Sequence, residues 1–230
     1  MFEGPAILPE TPLPEPSDTA TPASEIVRAS REARHPAGFF AVKRAADILI
    51  SLLLLPLVAG SCVILLLLNP VFNRGPVFFV QTRMGLRCHP IRVVKFRTMR
   101  PVPSVVRGPE APLESDRITA LGHWLRITRL DEVPQILNVL KGDMSLVGPR
   151  PDFIDHAEAY LETVPGYRER HMVRPGISGL AQVTLGYAEG TDATAAKTRA
   201  DLHYILHSGW RLEAWIVWQT LRTILLCRGT

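Results

Sequence analysis

Two adjacent carboxylates, Asp131 and Glu132, precede an arginine set between prolines in Gly148-Pro149-Arg150-Pro151. Neighbouring side chains on a helix point about 100° apart, so two adjacent acids can serve two tasks. The prolines restrict the backbone around Arg150 and present its guanidinium from a stiff turn. Upstream lie two further cations, Lys95 and Arg97. Acids in a first helical turn commonly do no more than complement the macrodipole. Acids beside a rigid arginine and further cations suit phosphoryl chemistry, with a divalent cation bridging carboxylate to phosphate.

Several elements must position these groups. Val133, Ile136, Leu137 and Leu140 recur at helical spacing and predict a helix with one core-facing side. Pro134 is tolerated only in a first turn, which fixes the start near residues 130–132. Lys141-Gly142 ends the helix with a basic residue and a glycine cap. An apolar run, 144–147, leads to the Arg150 turn. Residues 77–82 and 91–98 read as two strands joined by a turn. Lys95 and Arg97 then share one strand face, which Gln81 and Arg83 could extend. Further on, 152–163 predicts an exposed helix, 167–171 a helical turn, and 174–182 a tight loop. In that loop Pro175, Gly176 and Gly179 read as structural punctuation, and Arg174 is a candidate phosphate contact. His156, His171, His203 and His207 have no matching ligand spacing and are read as non-catalytic.

Residues 48–68 carry no charge over 21 positions, enough for about 30 Å of helix. Length alone favours a transmembrane helix. Pro56 near the middle and basic flanks on both sides favour a segment that enters and returns. Those flanks hold Arg28, Arg31, Arg34, Lys43 and Arg44 before, and Arg74, Arg83, Arg87, Arg92 and Lys95 after. Residues 201–207 and 210–227 read as helices. On the last, Leu212, Trp215, Ile216, Trp218, Leu221, Ile224 and Leu225 form a broad apolar face for the core or for a bilayer interface. Residues 1–38 are rich in Pro, Ala, Thr and Ser and predict a disordered tail, not a signal peptide. The net charge of +4 forms no basic stripe with interleaved aromatics, which argues against nucleic acid and fits an anionic membrane or substrate. Cys62, Cys88 and Cys227 lie far apart, as in a reduced, cytosol-facing protein.

With Lys95-Phe96-Arg97-Thr98-Met99 before it and Arg174-Pro175-Gly176-Ile177-Ser178-Gly179-Leu180-Ala181-Gln182 after it, the stretch from Thr128 to Pro151 resembles the bacterial sugar transferases. These are the monotopic polyprenyl-phosphate phosphoglycosyl transferases, typified by undecaprenyl-phosphate galactose phosphotransferase. The likeness covers residues 39–228. It implies a mixed α/β fold with a small antiparallel sheet and several helices, some amphipathic at the membrane surface. It also implies a re-entrant, broken helix over 39–72 and a cytosolic catalytic domain over 73–230, on the inner membrane of a bacterium. The implied reaction moves a sugar-1-phosphate from a UDP-sugar to polyprenyl phosphate and releases UMP. Asp131 would be the nucleophile and Glu132 the principal Mg²⁺ ligand. Lys95, Arg97, Arg126, Arg150 and Arg174 would bind phosphates. Arg129 departs from the small polar residue common in the family. Tyr187 follows Gly186 where relatives often carry Asn-Gly-Arg, so the sugar stays open. A homo-oligomer is compatible with the sequence. A glycosyltransferase using Asp-x-Asp is disfavoured because that triplet is absent, and a catalytically silent membrane scaffold because the acidic pair is intact.

Overall fold

The uncharged run lies inside a single helix, α1 (Phe39–Phe72). This is a computed structural model describing residues 38–102, 114–185 and 191–226. The expected tail up to residue 37 therefore lies outside the described residues, as do residues 103–113, Tyr187 and Cys227. Along α1, Phe39, Lys43, Asp47, Ser51, Val58, Leu65 and Asn69 are buried and form one stripe at helical spacing. Leu52, Leu53, Leu57, Val63, Ile64, Leu66 and Leu67 are exposed. In its most apolar 18-residue window only 17% is buried, which separates α1 from the core helix of a soluble protein. The helix runs through Pro56 with no gap, although a break was expected there. A proline removes one backbone bond and bends the axis without having to end the helix.

After α1, β1 (Phe78–Met84) pairs antiparallel with β2 (Pro90–Phe96), with Phe79 opposite Lys95 and Arg83 opposite Ile91. Next come α2 (Ala120–Ile127), a 3₁₀ turn at Leu130–Glu132, and α3 (Gln135–Lys141). Thr119 caps α2 by accepting from the Gly122 amide. α3 ends at Gly142, whose φ of +99° suits a left-handed glycine cap. Its buried face differs from the expected one: Ile136, Asn138 and Val139 are covered, and Leu137 is 44% exposed. α3 packs against both α1 and β2, which centres the covered face on Val139.

β3 (Ser145–Val147) pairs parallel with β4 (Gly176–Ser178). The antiparallel sheet is thus β1–β2, and a second, parallel pair stands beside it. The crossover between β3 and β4 holds α4 (Ile154–Thr163) and a 3₁₀ turn at Glu169–Met172. α4 was expected to be exposed, yet Ala157 and Tyr160 are buried with Met84, Val164 and Tyr167. The chain ends in α5 (Leu180–Leu185), α6 (Thr191–His207) and α7 (Trp210–Leu225), with α6 starting earlier than the sequence indicated. Val147, Leu180, Leu202, Tyr204, Ile205 and Ile216 make one core cluster. α7 buries Glu213 and Ile216 but exposes Trp210, Val217, Trp218, Leu221 and Leu225, so it presents two faces.

Candidate active site

The 3₁₀ turn at Leu130–Glu132 places Asp131 and Glu132 at the entrance to α3, both buried. Arg129, just before them, has a left-handed φ of 59°, an uncommon backbone for a residue with a side chain. Lys95, on β2, lies opposite this turn. Its ammonium donates to Glu132 Oε1 at 2.7 Å. Arg150 forks onto the same carboxylate, with Nη1 3.2 Å from Oε2 and Nη2 bonded to Oε1. Three residues from three parts of the sequence thus meet as Lys95–Glu132–Arg150.

The electrostatics separate the two acids. Burial pushes Glu132 up, but Arg150 and Lys95 outweigh it and hold this carboxyl well below its ordinary range. Burial raises Asp131, and the neighbouring charge of Glu132 raises it further, against weaker opposition from Lys95, Arg150 and Arg129. Burial lowers the Lys95 ammonium to about 8, with Glu132 pulling the other way. Among the described residues Asp131 Oδ1 has no hydrogen-bond partner. A buried, unpartnered carboxylate oxygen is costly and calls for a ligand.

That donor set fits Mg²⁺. The ion takes one or two carboxylates and completes its octahedron with waters and substrate phosphate oxygens. No cluster of three or more candidate metal-binding side chains occurs among the described residues, and this mode does not need one. Asp131 Oδ1 is open, and Glu132 has further acceptor capacity beyond its two cations.

The other candidate residues sit differently. Arg126 is half-buried in the last turn of α2, and its carbonyl accepts from the Arg129 amide just before the acidic pair. Arg97 is buried and donates to the carbonyls of Asn73, Pro76 and Met99 and to the Asn73 side chain. It ties the end of β2 to the exit of α1 and does not join Glu132. Arg174 donates to the Gly142 carbonyl at 3.0 Å, where it caps α3. Arg44 caps the same helix end through the carbonyls of Val139 and Leu140. Sequence reasoning missed the cluster behind the Arg150 turn, in which Tyr167, Arg170 and Asp201 are buried and Asp152 is half-buried. Its one sequence signal was Asp152 directly after Pro151.

The bacterial sugar transferase family matches residues 39–227. A UDP-N-acetylgalactosamine-undecaprenyl-phosphate N-acetylgalactosaminephosphotransferase of Aeromonas hydrophila is 41% identical over 185 residues, 80% of this chain and 44% of the relative. A UDP-glucose:undecaprenyl-phosphate glucose-1-phosphate transferase of Escherichia coli (strain K12) is 37% identical over 80% of this chain and 39% of the relative. An exopolysaccharide production protein, PSS, of Rhizobium leguminosarum bv. phaseoli is 44% identical over 71% of this chain and 85% of the relative. The chain spans less than half the length of the first two of these relatives. The match includes the turn with Asp131 and Glu132, the strand with Lys95 and the turn with Arg150, and the chain belongs to the bacterial sugar transferase family.

Proposed function

We propose that this protein transfers a sugar-1-phosphate from a UDP-sugar to a polyprenyl phosphate, giving polyprenyl-diphosphate-sugar and UMP. One observation carries the reading: a buried carboxylate with an unpartnered oxygen, Asp131, stands beside an anion held by two cations, Glu132 with Lys95 and Arg150. The names of the undecaprenyl-phosphate relatives support the same substrates.

In the first step Asp131 attacks the β-phosphorus of the UDP-sugar. The bond from that phosphorus to the bridging oxygen breaks, and UMP leaves. In the second step a phosphate oxygen of the lipid attacks the same phosphorus and the bond to Asp131 breaks. Lys95, Arg150 and Arg126 neutralise charge on the phosphate oxygens. Glu132 would hold Mg²⁺, which would supply Lewis-acid neutralisation of the diphosphate. Such a transfer begins assembly of a surface polysaccharide or glycoconjugate.

The site works at a bilayer surface in this reading, on the cytoplasmic face of the inner membrane, with α1 re-entrant. Support comes from both ends of α1, which fasten to one globular body. Near its start Lys43 pairs with Glu213 at 2.6 Å, and Asp47 accepts from Ser145 and the Leu146 amide. Near its end Leu65 packs with Phe96 and Leu125, and Asn69 donates to Gly75. A helix spanning the bilayer would carry one set of these anchors to the opposite side.

The test is a screen of UDP-sugars with polyprenyl phosphate and Mg²⁺, reading UMP. Without lipid, wild type should release about one UMP per active site and retain label from a β-phosphate-labelled donor. Asp131→Asn should do neither. UDP as the product, or label that never reaches protein under rapid quench, would refute the two-step transfer.

A further inference from the structure

The turn presenting Arg150 surrenders four consecutive main-chain carbonyls to other elements. Pro149 O accepts from the Gly176 amide at 2.9 Å. Arg150 O accepts from Arg170 Nη2 at 2.9 Å. Pro151 O accepts from Arg83 Nη1 at 2.7 Å, and Asp152 O accepts from the Met84 amide at 3.0 Å. Two prolines limit the φ angles of this segment, but they do not set where it sits. Its placement comes from these donors.

Of the two arginines among them Arg170 is the more deeply placed, only 2% exposed. Burying an arginine is costly unless its charge is paired and its donors are used. Here Nη1 donates to the Asp152 carboxylate, and Nη2 also lies 2.7 Å from Asp201 Oδ2. The Tyr167 ring lies 5.0 Å from the guanidinium carbon, and its hydroxyl donates to Asp152 at 2.7 Å. These contacts leave Arg170 little freedom. One face of its planar fork grips Asp152 and another meets the Arg150 carbonyl. A lysine has no rigid fork with which to reach these acceptors together.

We infer that Arg170 is a positioning residue: with Arg83 it clamps the main chain of residues 149–152 and so fixes where the Arg150 guanidinium meets Glu132. It reaches the site through the Arg150 backbone rather than through either acid. The kinetic half of this inference rests on the proposed phosphosugar transfer; the structural half does not. Misplacing a phosphate-neutralising cation by about 1 Å costs on the order of 100-fold in rate. The loss belongs in kcat, because Arg150 stabilises charge that shifts during transfer.

The experiment is a double-mutant cycle on the full chain, reading UMP release. Arg170→Lys should lower kcat by about 10- to 100-fold in the wild-type background and by less than about 2-fold in Arg150→Ala. Losses that multiply would show that Arg170 acts independently of Arg150 and would overturn the inference. An activity-free arm follows amide hydrogen exchange. Arg170→Lys should speed exchange in residues 148–153 and leave α2 unchanged. Exchange unchanged at 148–153, or faster equally throughout, would also overturn it. If wild type releases no UMP from any donor, the proposed transfer fails and the exchange arm still decides the clamp. Should Arg170→Lys not fold, Arg83→Met takes its place in both arms, since it removes the hold on Pro151, together with a contact to Gln81, and leaves Arg170 paired with Asp152 and Asp201.

Discussion

Asp131 and Glu132 are adjacent in sequence and opposite in state. Two cations hold Glu132 ionised, whereas burial and its neighbour resist ionisation of Asp131. A raised folded-state pKa means that ionised Asp131 costs the free protein stability at neutral pH. Asp131→Asn should therefore melt higher than wild type near pH 7, with no turnover. The gain should vanish in acid, below the unfolded-state pKa, where the wild-type carboxyl is neutral in both states. Calorimetry across pH checks it, and a lower melting temperature for the Asn variant would count against the orphaned oxygen. Lys95 gives the alkaline counterpart. Between about 8 and its ordinary 10.5 only the unfolded chain keeps the proton, so Lys95 makes folding more favourable as pH rises there. Activity should move the other way, because a neutral Lys95 releases Glu132 and cannot offset phosphate charge. kcat/KM should fall above about pH 8, and Lys95→Arg should shift that limb upward. A flat profile through that range would remove Lys95 from the chemistry. The acidic pair, Lys95 and Arg150 were legible because their chemistry is carried by side-chain type. The sequence could not set Arg97 and Arg174 apart from these, because an arginine meeting a carboxylate and one holding main-chain carbonyls look alike in sequence. Only geometry separates them.

At the scale of elements, close backbone approach does what side-chain patterning cannot announce. A Cβ on Gly176 would lie 2.1 Å from the Gly148 amide nitrogen, and one on Gly122 would lie 1.9 Å from the Thr98 carbonyl oxygen. The first contact joins β4 to the start of the Arg150 turn, and the second sets α2 on the exit of β2. Gly176→Ala and Gly122→Ala should each cost about 2–4 kcal/mol, whereas Gly60→Ala, with open space on α1, should stay within about 0.5 kcal/mol. Denaturant melts in detergent or nanodiscs read this directly, and equal costs at all three would contradict the packing. The glycines of the 174–182 loop were legible as structural. The parallel pairing of β3 with β4 was not, because each strand is three residues long and the crossover between them reads as loose helices. The end of the helix after Asp131 was placed well by Gly142, which acts locally, whereas the α-helix starts at Gln135, after a separate 3₁₀ turn at Leu130–Glu132, and not near residues 130–132 as Pro134 suggested. Its buried face was misjudged because α1 and β2 together choose it.

For the whole molecule, the proposed transfer requires one body to meet both a soluble donor and a lipid. Exposed leucines and valines along the middle of α1 suit hydrocarbon, and Trp210, Trp218 and Leu221 on α7 suit the interface beside it. The sequence supplied this much through hydropathy alone. It left topology open because basic flanks and a central proline are compatible with more than one path. The structure adds polar fastenings at both ends of α1. Lys43 and Glu213 are buried together, and Tyr204 also donates to Glu213. Beyond the far end, Asn73 accepts from the Arg97 guanidinium. Breaking one buried pair costs about 3–5 kcal/mol, so a spanning α1 would forfeit more than one proline can decide. Single cysteines at Ala41 and Val71, in a background with Cys62, Cys88 and Cys227 replaced by serine, should therefore both resist a membrane-impermeant thiol reagent applied outside spheroplasts. Both should react once the membrane is opened. Pro56→Leu should leave this pattern unchanged. Adding Glu213→Gln, which strands the Lys43 ammonium, should let the start of α1 begin to label. Labelling of one of the two sites in the otherwise native chain would establish a spanning helix and require these anchors to form only outside the bilayer.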